Sequence, residues 1–364
     1  MTKLPRHIFV YLALVIMLTI GCSVGTNRPE PTDKPAPDPP ATEIADIAPA
    51  PTSPPSQTSA AAEIPSSTPV AIAPTPLPLP EMPVFVELKG WGADLSPGIV
   101  WARPNGIAID SENNVYTTEF QGNRIRKFSP DGELLLEWGK TGTLNGEFQA
   151  PTGIAIGPLG NIFVSESGSH RVQKFSPDGK WLMTFGGLGN APGKFESAMV
   201  VAVDDEGRVY VTDWGGGRIN VFTSDGEIVE VLSAWGMEPG RLLNPTGIKV
   251  GPDNNLWVVD RGNHRIQQFT RGGELLNVWG SRGEGPGQFV VPTSINFDLD
   301  GNFFVSEVNN SRVQAFTPDG QFIGELAPGT FAGPHGLAFD GTGALYVADT
   351  GNDVIRKFVP AGSN

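Results

Sequence analysis

The chain has 364 residues and a formal net charge of −14. That length can bury a sizeable core. The acidic balance argues against nucleic acid, which selects basic faces, and a single cysteine excludes an internal disulfide framework.

From the N-terminus, Lys3 and Arg6 precede an apolar run, Ile8–Ile20, which ends at Gly21 and Cys22. This has the shape of a signal peptide over residues 1–21 and is short for a spanning helix. The position of Cys22 resembles a bacterial lipobox, with Gly21 before it and Thr19 where Leu is usual. The resemblance implies lipidation of Cys22 and a protein held on the extracytoplasmic side of a membrane in the cell envelope. Residues 22–83 follow as a linker. Of the chain's 34 prolines, 17 lie in this stretch, and no aromatic occurs between Tyr11 and Phe85. Such a composition buries too little apolar area to offset its ordering entropy. It predicts a disordered, partly polyproline stalk.

Residues 84–364 are built from a repeat. PNGIAID at Pro104, PTGIAIG at Pro151, AMVVAVD at Ala198, PTGIKVG at Pro245 and PTSINFD at Pro292 are 47 apart, and PHGLAFD at Pro334 follows after 42. Within one copy, Gly106–Asp110, Val115–Glu119, Arg124–Ser129 and Leu134–Gly139 are short apolar or alternating runs split by SENN, FQGN and PDG. Such runs between turn residues read as four antiparallel strands. Six copies predict an all-β fold, a six-bladed β-propeller with four-stranded blades. The last copy stops after three strands. Val84–Gly92 aligns with the missing fourth, since Trp91 sits 47 before Trp138. The N-terminal strand is therefore expected to close the ring and cover its open edge.

The pattern PxGIAhD…NxRIQxF…DGxhhxxWG…GxGxFxxP resembles the NHL repeat in all six copies. TGNDVIRKF is the least faithful, with Val354 where the others have Arg. The resemblance implies a propeller of that class. It leaves activity open, because the class includes lyases, RNA binders and scaffolds.

Candidate site residues come from the rim where first strands begin. Asn105, Thr152, Met199, Thr246, Thr293 and His335 follow the leading Pro or its equivalent. Phe120, Ser167, Trp214, Arg261, Val308 and Thr350 follow the acidic strand ends. These positions are expected around the channel mouth, the usual ligand site of a propeller. His335, Arg261, Trp214 and Asn105 break the repeat pattern most. With Thr152, Thr246 and Thr293 they form the expected ligand-binding set. Trp214 offers a flat face and Arg261 a positive fork, which suits a carboxylate-bearing peptide end or a sugar acid.

An enzyme reading stands beside this one. Amidating-type lyases and lactonases resemble this propeller and hold a metal at the mouth. A lyase of the virginiamycin type uses a histidine base, a role open to His335. A metal needs several converging ligands, and only His335 offers one at the rim, so neither metal nor other cofactor is expected. The sequence favours an extracytoplasmic binding or scaffold module for a protein, peptide or saccharide. It is expected to be monomeric; whether it is an enzyme is left open, leaning toward no, with a metal-assisted lyase or lactonase as the alternative.

Other groups read as structural. His170 and His264 share a slot with Asn123, Gly217, Ser311 and Asp353. Glu119, Glu166, Asp213, Asp260, Glu307 and Asp349 recur in register with Arg124, Arg171, Arg218, Arg265 and Arg312, as an ion-pair ladder would. Asp204 and Asp298 sit in Asp/Gly-rich hairpins of the kind that need no calcium. Phe148, Phe195 and Phe289 are expected to tuck between blades.

Overall fold

A computed structural model describes residues 81–89, 91 and 100–362. The expected signal segment, Cys22 and the stalk up to residue 80 lie outside these residues. The described part forms six four-stranded antiparallel sheets arranged as a six-bladed propeller. Blade 1 comprises Pro104–Ile109, Val115–Glu119, Arg124–Phe128 and Leu134–Trp138. Blades 2, 3 and 5 repeat this order from Pro151, Ala198 and Pro292. Blade 4 begins with a short first strand, Ile248–Val250, and continues with Leu256–Asp260, Arg265–Phe269 and Leu275–Trp279. Blade 6 takes Pro334–Phe339, Leu345–Asp349 and Val354–Pro360 from the C-terminal end and Phe85–Leu88 from the N-terminal end. The register runs from Phe85 opposite Pro360 to Leu88 opposite Lys357. The closure expected from the alignment of Trp91 is therefore present.

Each second strand is buried along its whole length, because it has a blade neighbour on both faces. The core is six apolar clusters, one between each pair of adjacent blades. Phe148, Phe195 and Phe289 are fully buried in three of them. Trp91 fills the cluster between blades 6 and 1, 5.1 Å from the Tyr346 ring and 5.4 Å from that of Phe128.

First strands crowd together near the axis, and glycine permits it. A Cβ on Gly336 would lie 2.2 Å from the Asn105 carbonyl oxygen, and one on Gly106 2.5 Å from that of Thr152.

The acidic ladder is present, with one change of partner. Glu119, Glu166, Asp213, Asp260, Glu307 and Asp349 are fully buried. Each accepts the backbone N–H of a residue 17 positions earlier, from Ala102 for Glu119 to Ala332 for Asp349. Five of them pair with the expected arginines. In blade 6, where Val354 replaces arginine, Arg356 reaches Asp349 at 2.6 Å and Glu87 of the closing strand at 2.8 Å.

The shared slot of His170 and His264 also has a physical cause. Asn123, His170, Gly217, His264, Ser311 and Asp353 all adopt left-handed backbone, with φ between 50° and 60°. Side chains in this slot reach the next blade's backbone: His170 Nδ1 contacts the Glu196 carbonyl at 2.8 Å, and Asp353 accepts from Arg103 N–H at 2.8 Å. The carboxylates of Asp110, Asp204, Asp298 and Asp340 accept N–H groups of their own hairpins, which is what Asx turns do.

Candidate functional site

The first strand of each blade is the terminal strand of its sheet, so its free edge faces the axis. The turn joining second to third strands stands at the same end as the first-strand start, since antiparallel pairing sets Pro104 opposite Glu119 and Pro334 opposite Asp349. This end is the channel mouth.

Asn105 and His335 meet there across the closure between blades 1 and 6, with Asn105 Nδ2 3.3 Å from His335 Nδ1. In this arrangement the amide donates and the ring proton sits on Nε2. Rotating the amide exchanges its nitrogen and oxygen, puts the proton on Nδ1 and frees Nε2 as an acceptor. The backbone of His335 is fixed as well, because Ser306 Oγ donates to its carbonyl at 2.5 Å. Burial, Arg261 and Arg103 together hold the His335 imidazole down at a pKa of about 3. The ring is therefore neutral at pH 7.

Arg261 opens a 3₁₀ turn, Arg261–Asn263, at the mouth end of blade 4. Burial lowers its guanidinium's pKa. Arg103 adopts left-handed backbone at φ 56°, directly before Pro104. Among the described residues, neither arginine has a carboxylate within ion-pair distance, unlike their ladder counterparts such as Arg265, 2.7 Å from Asp260. The structure thus brings His335, Asn105, Arg261 and Arg103 into one electropositive mouth on an acidic protein.

The three threonines are placed differently. Thr152, Thr246 and Thr293 are buried, and their hydroxyls donate to first-strand carbonyls of the next blade: Met199 at 2.6 Å, Pro292 at 3.4 Å and Pro334 at 3.2 Å. They staple neighbouring blades just below the rim. Trp214 is 39% exposed and stands between blades 3 and 4, its carbonyl accepting from Asn244 at 3.1 Å.

Two further cations, absent from the expected site set, depart from the repeat in charge. Arg103 is the one charged residue at the position before the leading Pro, where other blades have Ala150, Ser197, Asn244, Val291 and Gly333. Lys249 occupies a first-strand register position held elsewhere by Ala108, Ala155, Ala202, Asn296 and Ala338. Comparing each repeat position for charge finds both.

The donor set at the mouth does not suit a resident divalent cation. Among the described residues no three His, Cys, Asp or Glu side chains come together in a ligand cluster. His335 spends one nitrogen on Asn105, and the charged groups beside it are the guanidinium groups of Arg261 and Arg103, which repel a cation.

A model of the virginiamycin B lyase family matches residues 143–363. Solved structures of the same architecture include a streptogramin B lyase, at 19% identity over 76% of this chain and 87% of the other, with a TM-score of 0.54. A catalytically inactive histidine-to-alanine variant of virginiamycin B lyase from Staphylococcus aureus, with quinupristin, aligns at 19% identity over 76% and 98% of the two chains, with a TM-score of 0.54. A gluconolactonase from Xanthomonas campestris aligns at 19% over 71% and 86%, with a TM-score of 0.55. No curated protein sequence matches the chain. At these identities the solved structures establish the shared fold. The family match, which spans more than half of the sequence, establishes that the chain belongs to the virginiamycin B lyase family.

Proposed function

We propose that this propeller is an enzyme that opens a cyclic ester at its channel mouth. Support comes from one observation above all. A neutral histidine stands beside two arginines that have no carboxylate partner among the described residues. Ring opening of an ester, by elimination or by hydrolysis, turns a neutral substrate into a carboxylate. Unpaired cations beside the base bind that developing charge more strongly than the neutral ester, which is the differential binding that accelerates a reaction.

In the elimination, Nε2 of His335 takes a proton from the carbon adjacent to the one bearing the ester oxygen. The C–H electron pair becomes a C=C bond. The C–O pair departs with the carboxylate, toward Arg261 and Arg103. Asn105, rotated to accept from Nδ1–H, keeps Nε2 free for the proton. An imidazole near pKa 3 is a weak base in the empty site. Negative charge arriving at the arginines cancels part of what depresses it and brings it toward the operating range of a general base.

The relatives fit this reading by their names, which are those of lyases and a gluconolactonase. The inactive Staphylococcus aureus variant lacks a histidine. A binding module for an anionic peptide or sugar would use the same mouth without turnover. The N-terminal sequence adds a location: the enzyme is exported and held through Cys22 on the extracytoplasmic side.

The test incubates the purified protein with streptogramin B lactones and with gluconolactone and follows product mass. Elimination leaves the mass unchanged and creates a double bond, whereas hydrolysis adds one water. His335→Ala should lower turnover about 10²- to 10⁴-fold. Full activity in that variant, or tight binding of every substrate with no turnover, would sink the enzyme reading.

A further inference from the structure

Lys249 lies on the first strand of blade 4 and is the one lysine at its register position. At that position Ala202 and Ala338 are buried in the clusters between blades, and Asn296 is buried with its amide donating to the Leu337 carbonyl. A lysine is too long to lie flush there. Its side chain is exposed, yet burial alone lowers its pKa. Its strand is the innermost of the sheet, with a free edge toward the axis, so an exposed side chain on it stands in the channel. No charged group of either sign contributes to that shift. Among the described residues Lys249 has no ion-pair or hydrogen-bond partner.

We propose that Lys249 forms a second anion subsite inside the channel, so that the preferred ligand carries two acidic groups, one at the mouth and one below it. The two subsites belong to the same blade. Lys249 pairs with Trp257, and Arg261 lies four residues further along toward the mouth. Three strand steps to Asp260, about 10 Å, and the first residue of the turn separate the two backbone positions. The inward reach of both side chains shortens the span between their charged ends. An extended dicarboxylate, or a ring-opened acid with an anionic tail, fits this spacing, whereas an acid with one charge engages only the mouth. The free edge of the first strands supplies additional backbone N–H groups along the wall. This inference rests on the mouth being the binding site, and it does not require turnover.

The experiment measures binding of linear dicarboxylates from succinate to suberate by calorimetry on the full chain, with hexanoate as the single-charge control. Parent protein should prefer one intermediate length of dicarboxylate over hexanoate. Lys249→Ala should weaken that dicarboxylate about ten- to hundredfold and leave hexanoate unchanged, since charged hydrogen bonds are lost only from the diacid. Alanine is the residue of four other blades at this position, so the fold should tolerate it, and Lys249→Met keeps the length without the charge. Equal dicarboxylate affinity in parent and both variants would overturn the subsite, as would an equal loss for hexanoate. Failure of the ring-opening reaction with retained, Lys249-dependent binding would remove the enzyme reading and leave the subsite standing.

Discussion

His335 should leave a pH signature in stability as well as in activity. Its ordinary pKa of 6.5 falls to about 3 in the folded protein. Between those values the unfolded chain binds a proton that the folded chain refuses. The contribution to stability is complete above about pH 6.5 and is lost as pH falls, by up to about 1.4 kcal/mol per pH unit. Denaturant unfolding of His335→Gln and parent between pH 7 and pH 4 measures this. The variant should gain on the parent as pH falls, and parallel curves would show that the imidazole is not held down. At this scale the sequence was legible where one residue departs from its own repeat. His335 and Arg261 stand out in that way and meet at the mouth. Thr152, Thr246 and Thr293 share an equivalent position, yet their hydroxyls serve the next blade's carbonyls. Side-chain direction at the rim depends on how closely adjacent blades approach, which no single repeat encodes.

Among the elements, the buried carboxylates tie each blade to the connection entering it. Arg171, for example, holds Glu166 at 2.6 Å and also donates to the Thr143 and Glu147 carbonyls. Removing one partner of such a pair leaves a buried charge uncompensated, which costs about 3–5 kcal/mol. Arg356→Ala should cost about that much, because it strands Asp349 and frees Glu87 of the closing strand. Arg124→Ala should cost clearly less, because Arg126 also contacts Glu119, at 2.6 Å. Paired chemical denaturation of the two variants tests the ranking, and equal losses would contradict it. The ladder was legible from five in-register Glu/Asp and Arg pairs. The role of Arg356 was not, because it exchanges a position five residues after the acid for one seven residues after it, on a strand that has a different neighbour.

For the whole molecule, closure depends on joining the two ends of the domain in one blade. Phe85 sits 6.1 Å from Phe304 and 6.3 Å from Phe339, Trp91 donates to the Pro130 carbonyl at 2.9 Å, and Glu87 pairs with Arg356. The 47-residue period announced this arrangement, because the missing fourth strand had a match before the first full repeat. Truncation at residue 80 should leave melting unchanged, since the closing strand is retained. Truncation at residue 91 removes buried Trp91 and partly buried Phe85 from their clusters, a loss of up to about 3–6 kcal/mol at 1.5–3 kcal/mol per fully buried side chain. It also leaves the last strand of blade 6, Val354–Pro360, as an unpaired edge. Such an edge is a template for pairing with another chain. The expected outcome is a broad, non-cooperative transition in calorimetry and aggregates on size exclusion, with His335 and Asn105 drawn apart as blades 6 and 1 separate. A monomeric product of the longer truncation with the parent's melting temperature would mean that the ring is held by the crowded first strands at the axis, not by its outermost strand.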